Sequence, residues 1–131
     1  MKLEDLINIK KINIEEQIQQ AIQETREELF NLTTDTTCMI YSDYLSRNLT
    51  KRHVVNRVVS TKDYDLPYEH KFNISPKNEN EMYLMDLTYS QFQSTEFEDL
   101  NDKGYTIVDN EEYDDYLEIV GNVNISKKTS K

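Results

Sequence analysis

The residues in this chain with chemistry to offer are one cysteine, two histidines and a large excess of carboxylates. The cysteine, Cys38, directly follows the run Thr33-Thr34-Asp35-Thr36-Thr37. Such β-branched and cap-forming side chains favour the start of a helix over its interior. A thiol at a helix N-terminus meets unbonded backbone N–H groups and the positive end of the helix dipole, and both favour the thiolate. The same N–H groups can serve as part of an oxyanion hole. A thiol nucleophile further needs an adjacent imidazole as base and a group that orients the imidazole. Position alone leaves the other reading of Cys38 open, that of a buried cysteine acting as a small hydrophobe. With one cysteine, no intramolecular disulfide can form.

His70 and Asp86 offer the base and the orienter. Two strands, 70–74 (HKFNI) and 82–88 (MYLMDLT), flank the turn-forming SPKNENE. If they pair symmetrically around 75–81, Ile74 faces Met82, Phe72 faces Leu84 and His70 faces Asp86. All three pairs then share one face of the hairpin, because side chains alternate with a period of two. The register that matches Phe72 with Leu84 therefore also sets an imidazole beside a carboxylate. The alternative is a surface His–Asp pair at a strand edge. His53 competes as base, but it follows Lys51-Arg52, has no matched carboxylate and reads as exposed.

Three stretches carry a resemblance. Thr37-Cys38-Met39, Glu69-His70-Lys71-Phe72-Asn73-Ile74 and Tyr83-Leu84-Met85-Asp86-Leu87-Thr88-Tyr89 are similar to the motifs of bacterial transglutaminase-like, papain-like cysteine enzymes, over roughly residues 35 to 92. Those families place Cys at a helix N-terminus, then a strand like H-x-[aromatic]-N, then one like [aromatic]-x-x-D-x-T. The chain order Cys, His, Asp is the same here. The resemblance implies Cys38 as nucleophile toward an amide or thioester carbonyl, His70 as base and then acid, and Asp86 holding the ring. It implies no cofactor. Papain-like enzymes usually supply a side-chain oxyanion donor, often Gln, shortly before the cysteine; Leu32 holds that position here. The donor then falls to a backbone N–H or to another side chain. The chain is also near the minimum size for such a fold, with little left for a substrate-binding lobe.

Other chemistries find less support. Cys38, His53 and His70 lack the short paired spacings of a structural zinc site, and two isolated glycines cannot build a phosphate loop. The acidic stretch Asp109 to Asp115 lacks the glycine and the bidentate Glu of a calcium loop and reads as a solvated helix start. No metal site is expected. Tyr64, Tyr68, Tyr83 and Tyr89 fall around the expected site, where core or rim packing accounts for them.

These residues need elements to position them. Asn13 with Glu16 resembles a capping box. Behind it Ile14, Ile18, Ala21, Ile22 and Leu29 recur near 3.6 residues, which predicts an amphipathic helix over about 14–31. A shorter helical stretch is expected over 2–10, and a second main helix from Cys38 through Leu49. Valine-rich 53–60 reads as a strand and 61–69 as a polar connection. Thr95 with Glu98 suggests a capped helix over 96–103, closed by Gly104 at C′. Tyr105 to Val108 reads as a strand, and Asp109 with Glu112 opens a last helix closed by Gly121. The expectation is α+β, with N-terminal helices packed through Ile14, Ile18, Ile22 and Leu29 against one face of a small antiparallel sheet. The resemblance makes that core transglutaminase-like. Residues 1–121 are read as one domain and 122–131 as a flexible tail.

Composition bounds the partners. At 131 residues and 37% hydrophobic, one modest core is expected. No apolar run approaches the roughly 20 residues of a membrane span, and the start lacks the apolar stretch of a signal peptide. A cytoplasmic protein is the expectation. A formal charge of −10 disfavours nucleic acid and anionic membrane, and suits a protein or peptide substrate, a basic one if charge guides it. Two classes of function follow. One is a cysteine hydrolase or acyltransferase using Cys38, His70 and Asp86. The other is a non-catalytic acidic binding protein, such as an inhibitor, an immunity protein or a nucleic-acid mimic, with Cys38 buried.

Overall fold

The computed structural model describes residues 13–32 and 37–122. The helical stretch expected at 2–10, most of the Thr/Asp run and the tail from 123 lie outside the described residues. Helix α1 (Ile14–Glu28) starts as the sequence dictates, with the Asn13 side chain accepting the Glu16 N–H. Helix α2 runs Cys38–Lys51 and β1 runs Arg57–Ser60. A 3₁₀ turn (Thr61–Tyr64) follows, then β2 (Lys71–Pro76) and β3 (Met82–Met85). After a second 3₁₀ turn (Tyr89–Phe92) come α3 (Glu98–Asp102), β4 (Tyr105–Val108) and α4 (Asn110–Gly121). The strands form one antiparallel sheet in the order β1-β2-β3-β4. The class is α+β. Among the described residues, no helix is long and apolar enough to cross a membrane.

Helices cover both faces of the sheet, not one. Alternation along each strand separates two cores. Tyr83, Met85, Tyr105 and Ile107 face α1 and α2, packing on Ile18, Ile22, Leu29, Leu45 and Leu49. Val59, Phe72, Leu84 and Val108 face the opposite way, against Tyr89, Phe92, Leu100, Tyr116 and Val120. Helices were expected against one face alone, yet Tyr113, Tyr116, Leu117 and Val120 of the late helix α4 recur at helical spacing and need a partner surface. Both faces of the strands are apolar, so both require cover.

Several details depart from expectation. Ile14 is left exposed at the helix start while Ile18 and Ile22 are buried. The strand predicted from residue 53 begins at Arg57, because His53 takes a left-handed conformation (φ 59) as α2 ends. The expected cap of α3 by Thr95 does not form; Phe97, also left-handed, occupies the N-cap position. Gly104 does close that helix, at φ +83. Gly121 lies inside α4, and its reason is close approach: a Cβ there would meet Leu66 Cδ1 at 2.5 Å.

The hairpin register moves by two residues. Ile74 pairs with Leu84 and Pro76 with Met82, so β2 extends two residues further than predicted before turning. Asn78 makes the difference, its Oδ1 accepting the N–H groups of Asn80 and Glu81 to shape a shorter turn. A shift of two keeps every side chain on its face.

Asn73 joins the two layers that matter for the site. On the α2 side of β2, its buried Nδ2 donates to the Ser42 carbonyl at 3.0 Å. Asn73→Val should remove this side-chain bond to a carbonyl that keeps its helical one, and destabilise the protein by about 0.5–1.5 kcal/mol, measured by urea unfolding. An unchanged midpoint would mean that α2 is held on the sheet by apolar contacts alone.

Candidate active site

Cys38, His70 and Asp86 sit at the ends of three elements. Cys38 is the first residue of α2, His70 immediately precedes β2, and Asp86 immediately follows β3. The observed register, extended by one pair, sets Phe72 opposite Asp86. His70 therefore reaches Asp86 diagonally, a separation that an imidazole and a carboxylate together can span. They meet with Nε2 at 2.7 Å from Oδ2, both residues 2% exposed. His53 lies past the other end of α2, about 20 Å from Cys38 at 1.5 Å per helical residue, and takes no part. Among the described residues, no cluster of His, Cys, Asp and Glu is placed to hold a metal ion.

The backbone of His70 is pinned by Thr61, a residue the sequence reading passed over. Thr61 Oγ1 accepts the His70 N–H at 2.8 Å, and the Thr61 N–H donates to the His70 carbonyl at 2.9 Å. The ring is held by aromatics on two sides: Phe72 stacks at 6.3 Å between centroids, and Phe92 presents its edge at 4.8 Å. With Nε2 given to Asp86, Nδ1 is the nitrogen left for the thiol of Cys38.

Asp86 carries more contacts than an orienter needs. Oδ1 accepts from the Thr88 backbone at 3.1 Å and from Thr88 Oγ1 at 3.2 Å. Oδ2 accepts from His70 and also from the Tyr116 hydroxyl at 2.6 Å. Gln91 donates to Thr88 Oγ1 at 3.1 Å. The D-x-T spacing signals the Thr88 contact, since such residues bond backbone two positions on. Nothing local signals Tyr116, which arrives from the far end of the chain. Of the tyrosines expected around the site, Tyr89 is buried beside Tyr116, Tyr83 belongs to the opposite core, and Tyr64 bonds the Tyr113 hydroxyl.

Electrostatics follow from these contacts. Burial disfavours a charged His70, but the Asp86 charge and hydrogen bond, with a contribution from Cys38, override it and raise the imidazole to about 9. Burial likewise pushes the Cys38 thiol up. The hydrogen bond and charge of His70 and the Lys71 N–H outweigh it, against some repulsion from Asp86, and the thiol ends below its ordinary value. The two shifts reinforce each other, the imidazolium favouring the thiolate and the thiolate favouring the imidazolium. Cys38 is half-buried. Comparison with family models, with curated proteins and with solved structures finds no match.

His70 is raised above its unfolded value of about 6.5, so its pairing stabilises the fold fully below that pH. The stabilisation is lost as pH rises through about 9. Asp86→Asn removes the charge that holds the proton and should lower the His70 titration by more than a unit, to about 7 or below, where burial dominates. NMR titration of the two histidines checks this; an unmoved His70 would mean that the carboxylate does not govern the ring.

Proposed function

We propose that this protein is a cysteine hydrolase or acyltransferase acting on an amide or thioester bond, with Cys38 as nucleophile, His70 as general acid and base, and Asp86 as orienter. One observation carries the reading: a buried carboxylate bonded to a buried imidazole, with a half-buried thiol at the N-terminus of a helix near enough to that imidazole for each to shift the other's titration. A structural cysteine needs none of this; a nucleophile needs all of it. The transglutaminase-like, papain-like resemblance of the three motifs points the same way.

In this reading the chemistry starts from a Cys38 thiolate beside a His70 imidazolium. The Cys38 thiolate attacks the carbonyl carbon, forming a C–S bond as the carbonyl electrons move to oxygen. The Lys71 N–H favours the thiolate, so the developing oxyanion falls to other donors. Amides of the first turn of α2, which have no carbonyl within the helix to bond, suit that role. Leu32, at the position where papain-like enzymes usually carry a side-chain donor, has no such donor in its side chain. As the intermediate collapses, the scissile bond breaks and the His70 imidazolium gives its proton to the departing amine or thiol. The neutral imidazole then takes a proton from water or an acceptor amine as that nucleophile attacks the acyl-cysteine, and the thiolate leaves. Asp86 stays a carboxylate throughout and holds the ring in the tautomer this cycle requires. The acidic surface favours a protein or peptide substrate with positive charge near the scissile bond.

Iodoacetamide alkylation provides the test. Labelling of Cys38 should be fast at pH 6 to 7, well ahead of an ordinary thiol titrating near 8.5. Its rate should drop at least tenfold in His70→Ala, which removes the counter-charge. A rate that follows an ordinary thiol, or no labelling before unfolding, would sink the catalytic reading and return the acidic binding protein in its place.

A further inference from the structure

We propose that Tyr116 is a positioning residue that tempers the Asp86–His70 contact, its hydroxyl occupying the same carboxylate oxygen as the imidazole. The inference deepens the proposed Cys-His-Asp function and rests on it for its catalytic meaning, while its physical content is independent of turnover.

The first observation is that a phenol is chemically unnecessary where Tyr116 lies. Its ring is fully buried among Phe72 at 4.9 Å, Tyr89 at 5.9 Å and Phe97 at 6.2 Å between centroids. A phenylalanine would fill the same space. Burying a hydroxyl in aromatic surroundings is unfavourable unless it is bonded, and this hydroxyl has its bond at 2.6 Å, to Asp86 Oδ2. That length is typical of a hydroxyl donating to an ionised carboxylate.

The second observation is the sharing of one oxygen. His70 Nε2 approaches Oδ2 at 2.7 Å while Oδ1 is taken up by Thr88. Two donors on one oxygen divide its charge between them, so the phenol weakens the pull of the carboxylate on the imidazolium. That matters for an acid–base residue. An imidazole gripped too tightly by a bare buried carboxylate would keep its proton and give it up poorly to a leaving group, whereas transfer is efficient when donor and acceptor are closer in basicity. The phenol stays protonated while it does this, because burial and the Asp86 charge hold Tyr116 well above the ordinary tyrosine range. The other titratable groups that bear on this cluster are Cys38 from α2, Tyr89 from the second 3₁₀ turn and Tyr113 from α4 itself.

The rigidity of the donor supports the assignment. Helix α4 is fixed at its start by a reciprocal capping box, in which Asp109 accepts the Glu112 N–H and Glu112 accepts the Asp109 N–H. Gly121 lets its last turn lie directly on Leu66. Tyr116 is thus presented from a helix anchored at both ends.

The test is the His70 titration, followed by NMR in two variants of the full chain. Tyr116→Phe removes the competing donor and should raise the His70 pKa by about half a unit or more. A ring-fluorinated tyrosine at position 116, a stronger donor of nearly the same shape, should lower it. Opposite shifts establish the assignment, and a role in packing alone would move neither value. Should Tyr116→Phe fail to fold, the downward shift in the fluorinated protein decides. No shift in a folded variant, or shifts of the same sign in both, overturns the proposal. Alkylation of Cys38 separates this outcome from the catalytic reading: opposite His70 shifts beside an inert thiol would leave Tyr116 tuning the pair and remove the enzyme.

Discussion

A carboxylate with 2% of its surface exposed has to be supplied with donors by the protein, because stripping water from such a charge without replacement costs several kcal/mol. Asp86 is the group from which the arrangement of this molecule follows. Its donors come from three directions: Thr88 just beyond β3, His70 just ahead of β2, and Tyr116 from the middle of α4. Displacing any of these elements leaves a buried charge short of a partner. The constraint reaches outward as well, for Gln91 backs Thr88 and Thr61 backs His70. One side chain thereby fixes the relative placement of two strands and the helix that covers them.

The two faces of the sheet divide the labour. The face toward α4 holds the imidazole and carboxylate among Phe72, Phe92, Tyr89 and Tyr116, in an environment with little water and a low effective dielectric. The opposite face carries α1 and α2, and Cys38 stands at the start of α2. Cys38 is half-buried, while His70 and Asp86 are buried. Asn73, pointing toward α2 while its neighbours Phe72 and Ile74 point toward α4, is the stitch between these layers.

What could be read in the sequence is what short-range rules govern. The starts of α1 and α4 follow from Asn13 with Glu16 and Asp109 with Glu112, side chains that bond backbone within their own turn. Parity along the hairpin was equally legible, so His70 and Asp86 were expected on one face and are found there. The register itself was not, because it is set by Asn78 within the turn and not by the apolar pattern, which a shift of two satisfies equally well. The second helical layer was missed for a related reason. Strands buried on both faces look like ordinary apolar runs, and their covering helix lies far along the chain. Tyr116 shows the limit most plainly: its helical spacing announces a core residue, and only the fold reveals a carboxylate beneath its hydroxyl.

The sheet is a simple meander, each strand bonded to the next in sequence, so most of the framework rests on contacts between chain neighbours. The Asp86 cluster combines a cross-hairpin contact of the same kind with a longer one. His70 reaches 16 residues to Asp86, and Tyr116 reaches back 30 residues to the same group. Local pairings close small loops and form early, whereas distant ones wait on the chain between them. During synthesis the hairpins and the α1–α2 pair precede α4, and until α4 docks the face that shelters Asp86 lies open to water. In such a precursor hydration weakens the hold of Asp86 on the imidazole, and the sulfur behaves more nearly as an ordinary thiol. The order of the elements along the chain thus leaves the His70–Asp86 pair sheltered from water only once α4 has docked.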